Sequence, residues 1–290
     1  MQECCRVFNE SGRLFSEKEE RFWNAAFVIE ITVVFLLNAF TLAIYTRNRH
    51  LRKRSTFLII NLTVADLLVG TVVGLLQILE PDNLERDLAF SWQSFVYWTL
   101  HELFLVASLA NISLISLERL HATLFPFRHC LVGKRVYLTI ILCSWSFALT
   151  LSSVIALLYL RASPAFLYVY AALIFLIVLI LTLSNAIIIS AVKNNPLSPN
   201  AGPILSTERK LTVTLFIVSV ASFLTILPWA ISTVVPQRIL SKLCPELFNP
   251  ILNPLIYVIR MQEFRRAAKK LIRKKKSESI DIEPVESLAM

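Results

Sequence analysis

Seven long apolar segments alternate with short polar segments along the 290 residues of this chain. A helix that crosses the hydrocarbon core of a bilayer, about 30 Å thick, needs about 20 mostly apolar residues, and it satisfies its own backbone hydrogen bonds where water is absent. The pattern therefore predicts an all-α protein, a seven-transmembrane helix bundle. The predicted spans cover residues 25–46, 55–79, 93–122, 136–160, 166–192, 208–235 and 240–260.

Composition agrees with an integral membrane protein. Hydrophobic residues make up 56% of the chain and charged residues only 17%, a balance typical of proteins that bury apolar surface in lipid. The connecting loops are too short to hold a second folded domain. We therefore predict a single transmembrane domain over residues 24–261.

The distribution of basic residues predicts the orientation of the bundle. Most of the 29 Lys and Arg residues lie in loops on one side and in the segment after the seventh span, and short cytosolic loops collect positive charge. That side is predicted to face the cytosol, so residues 1–23 and the acidic loop 80–87 face outward at the plasma membrane. Asn9 begins an Asn-Glu-Ser triplet, which is a glycosylation acceptor. The first twenty residues lack an apolar core, so the first span is expected to act as the insertion signal.

Two further segments follow the seventh span. Residues 262–276 alternate apolar and basic side chains at helical spacing, which predicts a short amphipathic helix on the inner membrane surface. A nucleic-acid partner for this basic run is disfavoured because it adjoins a membrane span. Residues 277–290 are polar and acidic and are predicted to be disordered.

Three cysteines are predicted on the oxidising, outer side. A disulfide from Cys4 or Cys5 to Cys244 and three free thiols are both compatible with this placement.

Several polar residues inside the spans lie at one predicted depth. With a rise of about 1.5 Å per residue, Asn38, Asp66, Ser108 and Asn253 all lie about 20 Å from the outer ends of their helices. Asn249 precedes Asn253 by one turn and shares its face. A carboxylate among hydroxyl and amide oxygens suits a small monovalent cation or a protonatable switch. A hydrogen-bonded cluster that only fixes helix packing is the alternative.

A charged pair marks the inner end of the third span. Arg119 follows Glu118 there, and Glu208 opens the sixth span at the same rim. The guanidinium can pair with both carboxylates, and breaking this contact would free the sixth helix. An interfacial ion pair whose long side chains reach for water is the alternative.

Proline positions predict bends in two spans. Pro254 removes a backbone donor beside Asn253 and opens the seventh helix. Pro228 is expected to bend the sixth helix, so that movement of its inner half exposes a cavity for a partner.

These features together resemble the rhodopsin-like (class A) G-protein-coupled receptors over most of the chain. The residues that match the family in order and spacing are Asn38, Asn61 to Leu68 with Asp66, Trp92, Glu118 and Arg119 with Pro126, Trp145, Pro228, and Asn253 and Pro254 with Tyr257.

The resemblance implies roles for the polar residues. It implies that a sodium ion binds at four residues and favours the inactive state, which makes the ion an allosteric modulator. These residues are Asp66, Ser108, Asn249 and Asn253. No other cofactor is expected. It also implies that Arg119 and Glu208 restrain the sixth helix until an agonist binds and that Tyr257 then swings inward. The implied partners are a heterotrimeric G protein and, as a second binder of the same active state, an arrestin.

The chain departs from the family pattern in the outer half. Ser94 lies near the place of the usual cysteine, the fifth span has no internal proline, and Ile226 replaces the usual tryptophan of the sixth span. The missing disulfide, the short second outer loop and the proline-free fifth span are similar to the melanocortin, lysophospholipid, cannabinoid and adenosine receptor group.

The ligand site is narrowed mainly by exclusion. His101 stands where amine receptors carry an aspartate, and Leu247 stands where opsins carry the retinal-binding lysine, so both ligand types are disfavoured. A histidine side chain can donate or accept a hydrogen bond or carry a charge near neutral pH, so His101 suits ligand contact or pH sensing. A lipid, a nucleoside and a peptide stay open as ligands. The candidate pocket residues are Glu30, Gln77, Glu80, Trp98, His101, Glu102 and Trp229.

Two other protein classes compete with a receptor. An enzyme would need a nucleophile with a base, or a metal cluster, at one depth, and the four histidines show no such spacing, so we expect no enzymatic activity. A transporter usually shows internal repeats and broken helices, which the sequence lacks. An ion-coupled or proton-coupled transporter that uses Asp66 stays the alternative.

Overall fold

In the part of the chain that it describes, the computed structural model contains nine α-helices. The described residues are 17–52, 56–79, 91–161, 163, 165–194, 213, 217, 245–260 and 262–280, and they contain no strand. The helices are α1 Glu17–Arg47, α2 Thr56–Leu68, α3 Gly74–Leu79, α4 Trp92–Leu124, α5 Pro126–Leu131, α6 Lys134–Leu160, α7 Ala165–Asn194, α8 Pro245–Arg260 and α9 Gln262–Ile280.

The helical segments of membrane length coincide with predicted spans, and the all-α, seven-transmembrane class is confirmed. Five segments are long and apolar enough to cross a bilayer, and α8 adds the shorter apolar stretch Pro250–Ile259. The predicted sixth span lies outside the described residues except for Val213 and Ile217. The five long segments are Ala25–Arg47, Thr56–Leu76, Trp92–Leu124, Lys134–Leu160 and Tyr168–Ala191.

Helix α4 lies at the centre of the described bundle and packs against α2, α6 and α7. The fully buried side chains of Leu62, Ile112 and Ile155 connect three of these helices in one core. Large apolar side chains such as Leu142 and Phe175 are exposed instead. A membrane protein can expose such side chains because lipid tails are as apolar as the core.

The second span is helical as the sequence predicts, but its middle turns change from α-helical to π-helical geometry. A π-helical segment, Val69–Val73, separates α2 from α3. Gly70 lies within this segment and Gly74 follows it, and both face α1, where a Cβ atom on Gly70 would lie 2.7 Å from Val34 Cγ1. Small residues allow this close approach of two membrane helices. No proline marks this π-helical segment, and hydrophobic periodicity gives no signal for it.

Two helices extend beyond the boundaries set by hydropathy. Helix α1 begins at Glu17, inside the segment predicted as an N-terminal tail, and α9 continues to Ile280, past the predicted end at residue 276. The extension of α1 is rich in Glu, which favours helix but lowers hydropathy, and the extension of α9 consists of the polar residues Ser277, Glu278 and Ser279 with Ile280. A hydropathy window therefore ends before the helix does.

Candidate functional site: polar contacts between the spans

Asp66 lies at a contact among three spans. Its side chain is fully buried, its Oδ1 accepts a hydrogen bond of 2.6 Å from Ser108 Oγ on α4, and its Oδ2 accepts one of 2.7 Å from Asn253 Nδ2 on α8. Membrane depth, counted along the sequence, predicts that these three side chains meet, and the contacts agree. A buried carboxylate between two donors can bind a cation or hold the helices together.

The oxygen atoms around Asp66 fit a small, hard cation. Besides the carboxylate and the Ser108 hydroxyl, Asn253 Oδ1 is buried and accepts no hydrogen bond from the described residues. Carboxylate, hydroxyl and amide oxygens are the ligands that such cations prefer. The backbone of Asn249 belongs to α8, but its side chain lies outside the described residues. The sodium role of the four predicted residues stays a prediction.

Asn38 contacts the seventh span by a route that the depth argument did not predict. Pro254 has no N–H, so the carbonyl of Pro250, four residues earlier, lacks its helical donor. Asn38 Nδ2 donates to that Pro250 oxygen at 3.1 Å and to the Val34 oxygen at 2.9 Å. Asn38 was expected beside Asp66, but its side-chain amide donates to these two carbonyls instead.

A second polar contact joins α2, α4 and α6. Trp145 Nε1 donates to Asn61 Oδ1 at 3.0 Å, and Asn61 Nδ2 donates to Asn111 Oδ1 at 2.5 Å. Sequence reasoning did not assign Asn111 to a site, although an asparagine inside an apolar span is itself a signal for an interhelical contact.

The ion pair at the inner end of α4 is buried. Arg119 is 1% exposed, and its guanidinium donates to both carboxylate oxygens of Glu118. Glu118 Oε1 also accepts a hydrogen bond of 3.0 Å from the Tyr137 hydroxyl on α6 and lies 3.3 Å from His129 Nε2 on α5. Glu208 lies outside the described residues, so its pairing with Arg119 stays a prediction.

Tyr257 is buried without a partner for its hydroxyl among the described residues. Its ring packs edge-on against Phe264 of α9 at 6.4 Å between centroids, and Tyr45 of α1 packs against the same ring at 5.5 Å. A buried hydroxyl without a hydrogen-bond partner costs free energy, and a movement of α8 that gave it a partner would recover part of that cost. Pro254 lies inside α8 as predicted, and Pro228 lies outside the described residues.

The predicted pocket residues of α4 lie at its junction with α6 and α7. His101 and Glu102 are each less than 10% exposed, and His101 Nδ1 lies 3.5 Å from Glu102 Oε1. Tyr170 of α7 donates to Glu102 Oε2, and the rings of Trp98 and Tyr159 have centroids 4.4 Å apart. Tyr159 and Tyr170 were not predicted as site residues, although each is a polar aromatic near the outer end of its span.

Other predicted residues are described only in part. Glu30 is half-buried on α1, and Gln77 belongs to α3 with its side chain outside the described residues. The residues outside the described part altogether are Asn9, Glu80, Trp229, Cys4, Cys5 and Cys244.

Part of this chain is similar to a known family of membrane proteins. The family model described as "7 transmembrane receptor (rhodopsin family)" matches residues 37–164. The match includes Asp66, Ser108, Glu118 and Arg119. A multi-pass membrane receptor of the rhodopsin type, a G-protein-coupled receptor, is therefore the class that the helical fold and the match support.

A relative supports the same class. The chain is 27% identical to neuropeptide FF receptor 2 of Mus musculus over 132 residues, which cover 44% of this chain and 31% of that receptor. The chain thus matches about a third of the length of this relative. This similarity does not support the expected resemblance to the melanocortin, lysophospholipid, cannabinoid and adenosine receptor group.

Proposed function

We propose that this protein is a plasma-membrane receptor that converts the binding of an extracellular ligand into exposure of a G-protein site at the cytosolic end of the bundle. The observation that carries the proposal is the buried ion pair of Arg119 and Glu118, which lies in the segment similar to rhodopsin-family receptors. The N-terminus is outside the cell in this proposal, because the Lys and Arg residues concentrate on the other side.

The ion pair explains how the cytosolic end stays closed. A guanidinium that is removed from water is stable only while carboxylates and other acceptors surround it. Glu118 supplies one carboxylate, and Glu208 is proposed to supply a second one from the sixth span. An agonist that favours a state with this contact broken shifts the population towards it, and the exposed Arg119 then meets the G protein. Pro228 and Pro254 provide the bends, and Tyr257 supplies a hydroxyl for the new contacts.

Sodium is proposed as the modulator of this equilibrium. The ion balances the charge of the Asp66 carboxylate, which Ser108, Asn249 and Asn253 surround with oxygen ligands. Because the three described side chains come from α2, α4 and α8, any rotation of α8 changes the ligand set. An ion that needs the present ligand set favours the present conformation.

The ligand is proposed to bind near Trp98, His101 and Glu102, at the outer junction of α4, α6 and α7. Tyr159 and Tyr170 contact these residues and belong to the same proposed pocket. Lipids, nucleosides and peptides stay candidates, and peptides come first because the similar mouse receptor is named for a neuropeptide.

Helix α9 is proposed to lie on the inner leaflet beside the G-protein site. Its buried side chains include Phe264, Ala267 and Ala268, whereas Arg265 and Lys269 are exposed. An apolar face with basic residues around it binds anionic lipid headgroups. An arrestin is the second proposed partner of the active state.

Nucleotide exchange on purified G proteins tests the proposal. The full chain in lipid nanodiscs is expected to accelerate GTPγS binding by at least one G protein without agonist. Glu118→Gln should raise this basal rate a few-fold, because Arg119 loses its charged partner and the closed state loses stability. Tyr137→Phe is the matched control, since it removes one hydrogen bond to Glu118 and keeps the ion pair.

The proposal is wrong if neither the wild type nor Glu118→Gln accelerates exchange on any member of a G-protein panel. Sodium or proton flux into liposomes that contain the wild-type chain, together with an inactive exchange assay, would instead establish the transporter alternative.

A further inference from the structure

Two histidines meet at the proposed cytosolic end, and one of them, His129, also lies beside Glu118. His121 lies in the last turn of α4 and His129 lies in α5, and the chain reverses between them at Phe125. Their Nδ1 atoms are 3.3 Å apart, and the ring planes are tilted by 58°. Neither histidine has a role in the proposed receptor mechanism.

The distance between the two nitrogens fits a shared metal ion. A tetrahedral zinc ion holds imidazole nitrogens at about 2.0–2.1 Å, which separates two ligand nitrogens by about 3.3–3.4 Å. Without a metal, the same 3.3 Å corresponds to a hydrogen bond between the two imidazoles, in which one Nδ1 carries the proton. The two imidazoles therefore need little movement to bind one ion.

A carboxylate beside the other ring nitrogen of His129 also favours metal binding at Nδ1. His129 Nε2 lies 3.3 Å from Glu118 Oε1, so its proton belongs on Nε2, and Nδ1 keeps its lone pair for a metal. Metal-binding histidines usually donate their other N–H to a carboxylate, which fixes the ring and raises its basicity. Tyr137 holds the same oxygen of Glu118 at 3.0 Å and orients it.

The protein supplies two ligands to this site. Among the described residues, no group of three or more His, Cys, Asp or Glu side chains is arranged to hold a metal. The His129 side chain is 19% exposed, and Cys130 beside it is exposed. Water can therefore reach the ion and complete its coordination.

We propose that His121 and His129 form a binding site for a divalent transition-metal ion, with Glu118 as a positioning residue. Imidazole ligands select copper, nickel and zinc and reject magnesium and calcium, which prefer oxygen. The ion would tie the inner end of α4 to α5 and would hold His129 against the carboxylate that also pairs with Arg119.

The test is metal titration of the purified full chain, with zinc, nickel, copper and magnesium chlorides each in competition with a chromogenic chelator. The wild type should bind one zinc ion that His121→Ala and His129→Ala lose, with affinity lowered at least about tenfold. Glu118→Gln should weaken zinc about tenfold by releasing the His129 ring. His50→Ala is the matched control, because His50 is an exposed histidine in the turn Arg49–Leu51.

Thermal unfolding without metal identifies any variant that fails to fold. In each single variant, nickel binding then shows whether the remaining histidine is still available as a ligand. The proposal is overturned if the wild type binds no zinc, since the pair is then only a hydrogen bond. It is equally overturned if both histidine variants bind zinc as the wild type does, or if Cys130→Ala alone abolishes binding. The G-protein assay is a separate measurement, so either proposal can fail without the other.

Discussion

At the scale of single residues, the contacts of Asp66 separate two roles that a buried carboxylate can have. Its two oxygens accept hydrogen bonds from Ser108 and Asn253, and an uncharged amide in its place keeps an acceptor for one of them. A cation, in contrast, needs the negative charge. A substitution that removes charge and keeps size therefore distinguishes ion binding from helix packing.

Asp66→Asn should abolish stabilisation by sodium. For the wild type, we expect a higher melting temperature in sodium chloride than in choline chloride at equal ionic strength, because the ion binds the folded state. Asp66→Asn should melt at the same temperature in both salts. Thr63→Ala, a buried substitution one turn away on the same helix, is the control that should keep the difference. A sodium effect that survives in Asp66→Asn would remove the site assignment.

Asn38→Ala should destabilise the bundle, because it leaves the Pro250 carbonyl without a donor. We expect a loss of about 1–2 kcal/mol in the free energy of unfolding, measured by denaturant titration in detergent. Thr32→Ala is the matched control, since the exposed Thr32 hydroxyl donates a hydrogen bond to the Val28 carbonyl within α1. Equal effects of the two substitutions would show that the contact with α8 contributes nothing.

At the scale of helices, the π-helical segment decides how closely the second span approaches α1. Gly70 is buried, and its Cα faces Val34 and the backbone nitrogen of Phe35. A side chain there would force the two helices apart. The position of Asp66, one turn earlier in α2, depends on this packing.

Gly70→Ala should therefore cost about 1–3 kcal/mol of folding free energy through overpacking, because the new methyl would lie 2.7 Å from Val34 Cγ1. Gly133→Ala is the control, since nothing lies within 4 Å of its Cβ position and the cost at a helix N-terminus should stay under about 1 kcal/mol. The measurement is the melting temperature of each purified variant. A Gly70→Ala protein as stable as Gly133→Ala would contradict the close packing of the second span on α1.

At the scale of the whole molecule, charge and exposure together predict how the bundle sits in the membrane. Apolar side chains cover the outside of α6 and α7, and the exposed basic side chains of α9 lie at the end where Arg119 is buried. Anionic lipids of the inner leaflet attract such residues. The N-terminus should therefore be accessible from outside the cell.

An epitope tag before Met1 should be stained by antibody on intact cells, whereas a tag after Met290 should be stained only after permeabilisation. This result follows from an odd number of spans with the basic loops inside. Staining of both tags, or of neither, on intact cells would contradict the predicted topology. If endoglycosidase treatment lowers the mass of the wild-type protein but not that of Asn9→Gln, this result would independently place the N-terminus outside.

Some partners in the site could be predicted from sequence and others could not. Helix rise alone put Asp66, Ser108 and Asn253 at one depth, because each residue of a helix advances by a nearly constant rise of about 1.5 Å along its axis. The partners of Glu118 were missed, since Tyr137 and His129 reach it only through the reversal of the chain after α4. The contact of Asn38 with Pro250 was also missed, because depth gives height in the membrane and not rotation about the helix axis.

The sequence by itself determined the number and placement of the apolar spans and the side with most positive charge, because lipid imposes length and polarity on each helix separately. Only the tertiary structure decided which polar atoms pair, where the second span becomes π-helical, and that His121 meets His129. These features depend on how helices rotate and pack against one another, and an amino-acid pattern along one helix does not specify its neighbour.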